Sequence, residues 1–296
     1  MQFDRRQLLQ ATGALAALGS LSSFAFQDKP ARKFKKAVGI GMVEGSGTLA
    51  EKFALLRECG FDGVELDSPS DVNTAELLAA KKATGIEVEG TVDSVHWSKT
   101  LGDPDEKVRA EGRAGLERAI ADCAAWGGTS VLLVPAVVNE IVSYDAAWER
   151  STAEIKKVLA KAEAAKVKIA VENVWNNFLL SPLEAARYVD QFNSPWIGWH
   201  FDVGNVINYG WPEQWIRILG KRILKLHIKE YSRKQRNDQG LWKGFDVELG
   251  EGDNRWPEVV KALREIGYDG WACAEVGGGG KERRLDVSRR MDKILS

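Results

Sequence analysis

One rhythm dominates the chain from residue 37 to residue 276. A short apolar run is followed by a longer segment with helical spacing, and the pair recurs until eight strands are counted. The expected strands are 37–43, 61–67, 86–92, 129–135, 168–173, 197–202, 222–229 and 270–276. The expected helices lie near 48–60, 73–85, 105–126, 144–165, 181–192, 212–220 and 257–267. Their ends carry the usual signals: Gly60 and Gly85 as stops, Ser181 as N-cap with Pro182 at the first position. Alternation of this kind means parallel strands joined by right-handed crossovers. Eight units close most naturally into a single-domain α/β (β/α)8 TIM barrel, for which 296 residues is an ordinary length. An open doubly wound sheet would often bring a glycine-rich dinucleotide fingerprint, and none is found. The run Gly277–Gly280 follows the last strand and is read as a flexible turn before a charged tail.

Ahead of this rhythm the chain has another character. Residues 1–25 hold Arg5-Arg6, an apolar run from Leu8 to Leu18, and the small-x-small site Ser23-Phe24-Ala25. The apolar run is short for a bilayer span and has no polar face. The segment resembles a bacterial twin-arginine signal peptide, so the mature protein is expected in the periplasm or otherwise exported. Residues 26–36 read as a basic linker, and 37–296 as the barrel. The formal net charge of −1 gives no reason to expect nucleic acid or an anionic membrane as partner. Cys59, Cys123 and Cys273 are an odd number, far apart, each in an apolar pattern; they are read as small buried hydrophobes.

A barrel of this type carries its chemistry at the carboxyl ends of the strands. There the chain places Glu65 and Asp67, Asp93 and His96, Glu172, Asp202, His227 and Glu275. Side chains alternate faces along a strand. In the sixth strand Ile197, Trp199 and Phe201 share the outer face, leaving Gly198, His200 and Asp202 inside. The same alternation turns Glu172, His227 and Glu275 inward, with Leu224, Leu226 and Ile228 outward. Four consecutive strands thus deliver Glu172, Asp202, His227 and Glu275 to one rim. Three carboxylates and one imidazole suit a divalent ion: manganese, magnesium or cobalt, with zinc admissible. Without a cation, three buried carboxylates against one histidine would be costly. His200 lies one layer lower and belongs to a polar layer with Glu65 and Lys225.

The segments "VENVWNNFLLSP", "FDVGN", "GKRILKLHIKEY", "GEGD" and "AEV" resemble the xylose-isomerase-like TIM-barrel superfamily. Within it they are most similar to the sugar-phosphate isomerase/epimerase group, which includes L-ribulose-5-phosphate 3-epimerases, hexulose-6-phosphate isomerase-like proteins and ketose 3-epimerases. The resemblance implies one divalent metal held by Glu172, Asp202, His227 and Glu275. It also implies that Glu172 and Glu275 act as the acid–base pair, moving a proton at one sugar carbon through a metal-stabilised enediolate. Arg233 matches a substrate-contacting arginine of the ketose epimerases. Lys229 and His96 are further substrate-binding candidates.

Two positions depart from the ketose-epimerase pattern. Asn205 stands where those enzymes have a histidine, and Phe178 where they have a glutamate. Asn205 is therefore expected to contact substrate in a pocket of different character. Export argues for an unphosphorylated sugar or sugar derivative, because sugar phosphates belong to the cytoplasm. Two other functions share the same site: an exported keto-sugar hydratase or lyase, and a non-catalytic sugar-binding barrel. An endonuclease-IV-like nuclease needs a histidine-rich zinc cluster, and this chain has three histidines in all. The expected partners are a small sugar and no nucleic acid. No stable membrane association is expected after leader cleavage, and a homo-oligomer is allowed.

Overall fold

The computed structural model describes residues 34–45 and 47–296. The expected signal peptide and the linker up to residue 33 lie outside the described residues. The described strands are β1 (Lys35–Gly39), β2 (Gly63–Ser68), β3 (Glu87–Asp93), β4 (Ser130–Leu133), β5 (Lys168–Glu172), β6 (Ile197–Asp202), β7 (Ile223–Ile228) and β8 (Trp271–Ala274). Every neighbouring pair is parallel, and β8 returns to β1, so the sheet is a closed barrel in sequence order. The helices are α1 (Leu49–Glu58), α2 (Thr74–Thr84), α3 (Glu106–Trp126), α4 (Tyr144–Ala165), α5 (Pro182–Asp190), α6 (Val203–Ile207), α7 (Pro212–Leu219), α8 (Arg233–Gln239), α9 (Trp256–Glu265) and α10 (Lys281–Ile294). Among the described residues, no helix is long and apolar enough to cross a membrane.

Local chemistry explains the boundaries. Thr48 opens α1 with a capping box: its hydroxyl accepts from the Glu51 amide, and the Glu51 carboxylate accepts from the Thr48 amide at 2.7 Å. The glycine-containing turn before α1 is thereby a helix entry. Asn73, Asp105 and Ser181 cap α2, α3 and α5 with their side chains, and Gly85 and Gly127 end α2 and α3 in the left-handed region. The outward-facing residues Val171, Trp199, Phe201, Leu226 and Ile228 join the helices in one buried core. All three cysteines are buried and free.

Four differences from the sequence reading have physical causes. β1 starts at Lys35, where the linker was expected to run to residue 36. Lys35 and Lys36 pair with Trp271 and Ala272, and the Lys36 ammonium is buried against Ser288 and Asp292. β1 also stops at Gly39, because Ile40–Met42 coil into a single 3₁₀ turn. The charged tail is helix α10: Val287 and Met291 are buried in the core, and the basic residues on its other side pair with acids, Arg290 with Asp286 and Glu251. Finally, the register slips by one residue between Trp199 and His200. Leu224 therefore packs over Gly198, whose lack of a side chain leaves the room.

Candidate metal and acid–base site

Register brings the four strand ends together. Glu172 pairs with His200, Asp202 with His227, and His227 with Cys273, two residues before Glu275. Glu172 and Asp202 close their strands, His227 is next to last in β7, and Glu275 follows β8 directly. One ligand atom from each of Glu172, Asp202, His227 and Glu275 lies within 4.8 Å of all the others. A single ion with ligands at roughly 2.0–2.6 Å would place its donors no more than about 5 Å apart. The sequence-derived ligand set is thus assembled as one cluster.

His227 sits at its centre. Nδ1 is 2.9 Å from Glu172 Oε1 and 3.1 Å from Glu275 Oε2. Nε2 is 3.0 Å from Glu65 Oε2, on the far side of the ring. Glu65 was expected one layer down; its side chain reaches up from the middle of β2. Such a carboxylate behind a metal-binding histidine fixes the ring and its tautomer. Burial works against a charged His227, but Glu65 and the other carboxylates hold its pKa well above the ordinary range.

Asp202 has two roles. Oδ1 accepts from the Asn205 amide at 2.7 Å and so caps the short helix α6. Oδ2 is buried, has no hydrogen-bond donor, and is 3.3 Å from the Lys229 ammonium. An unsatisfied buried carboxylate oxygen facing three other donors suits a cation. Lys229 also pairs with Glu275 at 2.8 Å. In direct contact, Glu65, Glu172, Asp202 and Glu275 face one ammonium and at most one imidazolium. Two negative charges remain, which a divalent ion would offset. The donor set therefore fits the metal that the ligand chemistry implied.

The two glutamates experience opposite fields. Burial pushes the Glu172 carboxyl up, to about 7. Burial also works against a charged Glu275, but Lys229 and His227 beside it hold its pKa well below the usual carboxylate range. The two carboxyls thus differ in proton affinity, Glu172 holding a proton more readily than Glu275.

Asn173 locks this geometry. Its Oδ1 accepts from the Asp202 amide and from the Trp199 indole, both at 3.0 Å, while its Nδ2 donates to the Asp202 carbonyl at 2.7 Å. Its own carbonyl accepts from Asn205 Nδ2 at 3.0 Å. Asn205 lines the cavity, but its amide group is engaged in this bracing. His200 lies beneath, with its ring centre 4.1 Å from that of His227, and burial holds it neutral. Lys225, which pairs in register with His200, sends its ammonium to Glu89; of the expected polar layer, Glu65 lies instead against His227.

A cavity of about 930 Å³ opens above the cluster. His96 lines it; its Nδ1 accepts from the Val134 amide, and burial lowers its pKa to about 4, so the ring is neutral. Lys229 lines it as well. Arg233, expected to contact substrate, donates from its guanidinium to the Ile207 and Gly210 carbonyls and is not among the residues lining the cavity. It closes the chain after α6, because that turn leaves carbonyls in reach. Asn176 and Asn177 donate to the Ala136 and Val138 carbonyls and hold loops. Phe178 is buried among Tyr144, Trp148 and Tyr188 and is not among the residues lining the cavity. Sequence reasoning missed Glu65 and Asn173 as parts of the site. It also missed a wall formed by Trp175, Trp242 and Phe245, whose members come from separate loops. Trp175 lies close after Glu172 in sequence, whereas Trp242 and Phe245 share the turn Leu241–Phe245 and flank no candidate ligand.

The sequence profile of the xylose isomerase-like TIM-barrel family matches residues 53–293. The chain belongs to that family. An L-ribulose-5-phosphate 3-epimerase of Escherichia coli O1:K1 is 26% identical over 240 residues, covering 74% of this chain and 79% of that protein. Among solved structures, a D-tagatose 3-epimerase-like protein superposes with a TM-score of 0.75 at 21% identity, covering 88% of this chain and 97% of the other. The 3-keto-D-glucoside 4-epimerase of E. coli gives 0.73 at 19%, covering 88% and 98%. These likenesses show the family's barrel over nearly its full length.

Proposed function

We propose that this protein is a divalent-metal-dependent epimerase or isomerase of an unphosphorylated ketose or ketose derivative, exported through a twin-arginine signal. The observation that carries the reading is the pairing of Glu172 and Glu275 across His227, with their proton affinities driven apart. The sugar-epimerase relatives support it. Glu172, Asp202, His227 and Glu275 would hold the cation, with manganese, magnesium or cobalt suited to the carboxylate-rich set. When bound, the cation supplies the positive charge that makes a carbon beside a carbonyl acidic enough to lose a proton.

The chain's own residues do the rest. Glu275, kept ionised by Lys229, takes the proton from that carbon. Glu172, the carboxyl with the higher proton affinity, returns one at the other face of the sugar. Removal from one face and return on the other inverts the carbon; return to the neighbouring carbon moves the carbonyl. Lys229 also sits where it can donate to a substrate oxygen, and His96 and Asn205 line the same space. The cations lining the cavity favour an unphosphorylated sugar: Lys229 is matched by Asp202 and Glu275, and Arg283 by Glu248 and Asp286.

The test is a sugar panel in D₂O with the manganese-loaded protein. Deuterium at one carbon with inversion or carbonyl migration supports the reading; gain or loss of water instead would assign a hydratase or lyase. Glu172→Gln should lower turnover by about 10²–10⁴-fold while the fold persists, as loss of a general acid–base group does. Unchanged turnover would remove Glu172 from the chemistry.

A further inference from the structure

The cavity continues outward along aromatic rings that proton transfer on one sugar ring does not need. The Lys229 ammonium, 2.8 Å from Glu275, lies 5.3 Å from the centre of the Phe245 ring. The Phe245 ring centre is 5.0 Å from that of Trp175 and 6.4 Å from that of Trp242. The steps therefore lead from the acid–base pair to the mouth. There Trp242 is 68% exposed, and Trp97, another lining residue, is 53% exposed. Large apolar side chains exposed together at a cavity mouth mark a contact surface. The volume of about 930 Å³ lies near the top of the roughly 300–1,000 Å³ range of small-molecule sites. One sugar ring at the four-residue cluster would fill only part of this volume.

We propose that this outer wall is a subsite for a second ring, so that the substrate is a ketose or keto-sugar joined by a glycosidic bond to another sugar. The proposal rests on the epimerase reading for the chemistry at the first ring. A pyranose presents C–H bonds on one face, which pack on an indole, and hydroxyls at its edge. Trp242 and Trp175, with ring centres 4.9 Å apart, offer the face. Trp175 is fixed in place, since its indole N–H donates to the Asn205 carbonyl at 2.9 Å, and ordering it on binding costs little. Asp246 and Glu248, which also line the cavity, offer acceptors for the hydroxyls. Asp246 is paired with Lys243 and Glu248 with Arg283, so the lining of this end offers no unmatched cation for a terminal phosphate and fits a neutral second sugar.

The experiment compares D-fructose with lactulose and isomaltulose, two disaccharides with a fructose unit, by calorimetric titration of the manganese-loaded full-length mature protein. Both disaccharides should bind about tenfold or more tightly than D-fructose, an advantage of ~1.4 kcal/mol. Trp242→Ala should bring that ratio close to one, and Trp242→Phe should restore most of it. Trp242 is largely exposed, so its loss leaves the barrel core intact. Equal or weaker binding of both disaccharides overturns the proposal, and so does a Trp242→Ala variant that weakens all three sugars alike. If the ratio depends on Trp242 but no sugar takes up deuterium in D₂O, the second-ring subsite stands and the epimerase reading falls.

Discussion

At the scale of single residues, the decisive placements follow from two-residue periodicity. Asp202, His227 and Glu172 face inward because their neighbours Phe201, Leu226 and Val171 are needed in the outer core. Periodicity gives a face, and length of side chain then decides depth. That is why Glu65 was placed a layer below the cluster: its backbone pairs with Gly39 and Gly90 in mid-barrel, yet its carboxylate reaches His227 Nε2. Arg233 is held in a different way. A long guanidinium next to a helix end finds carbonyls before it finds a ligand. The Glu65 contact yields a prediction. Removing the charge behind a metal-binding histidine weakens the metal by about 10–100-fold in comparable sites. Glu65→Gln should therefore lose manganese affinity to that degree, read by competition with a fluorescent chelator, while circular dichroism stays native. Unaltered affinity would mean that Glu65 only fills space beneath His227.

Among elements, the strands and most helices were legible; the short α6 and α8 were not, and α10 was read as a charged tail. α4 was expected at 144–165 and is found there, since its caps and spacing are local. α6 has five residues, too few for any periodicity; it forms because Asp202 caps it and because Gly204 allows its backbone to lie against Lys229, where a Cβ would come within 2.8 Å of the Lys229 carbonyl. The odd sequence Asp-Val-Gly-Asn thus combines a candidate ligand, a helix cap and a close packing point. The end of β3 carries a measurable electrostatic cost. Burial raises the Asp93 carboxyl to about 7, and its main relief is the Val95 amide at 3.2 Å. A folded-state pKa above the unfolded value of about 3.9 means that the native state holds the proton more tightly. The stability this contributes is complete below about pH 4 and is lost as pH rises through 7. Asn keeps the acceptor and has no charge to bury. Relative to wild type, Asp93→Asn should gain stability as pH rises from about 4 to 7 and then level off, by up to ~4 kcal/mol from linkage. Urea unfolding across that range measures it, and a difference that does not change with pH would contradict the assignment.

For the whole molecule, the closed barrel was legible because parallel strands need a helix for every crossover, and that alternation is written along the chain. The aromatic wall was not. Trp175, Trp242 and Phe245 meet only when the loops after β5 and β7 fold over the same mouth, and no local pattern encodes such a meeting. The charge balance at that mouth is likewise a property of the assembled barrel, since β2, β5, β6, β7 and the end of β8 each contribute a member. It implies that the native state carries an electrostatic cost that a divalent ion removes, whereas the unfolded chain scatters the same groups and binds the ion weakly. Ion binding should then stabilise the fold by mass action, about 2.7 kcal/mol at a free concentration a hundred times the dissociation constant. For a chain of this size that corresponds to a rise in Tm of several degrees. Thermal melts of the mature protein in EDTA and in excess manganese read the shift directly. Asp202→Asn removes one ligand oxygen's charge while retaining the α6 cap, and should abolish most of the rise. A Tm indifferent to manganese in the wild type would show that Lys229 and His227 suffice to balance the cluster, and would leave the site as an ion-pair network instead of a metal centre.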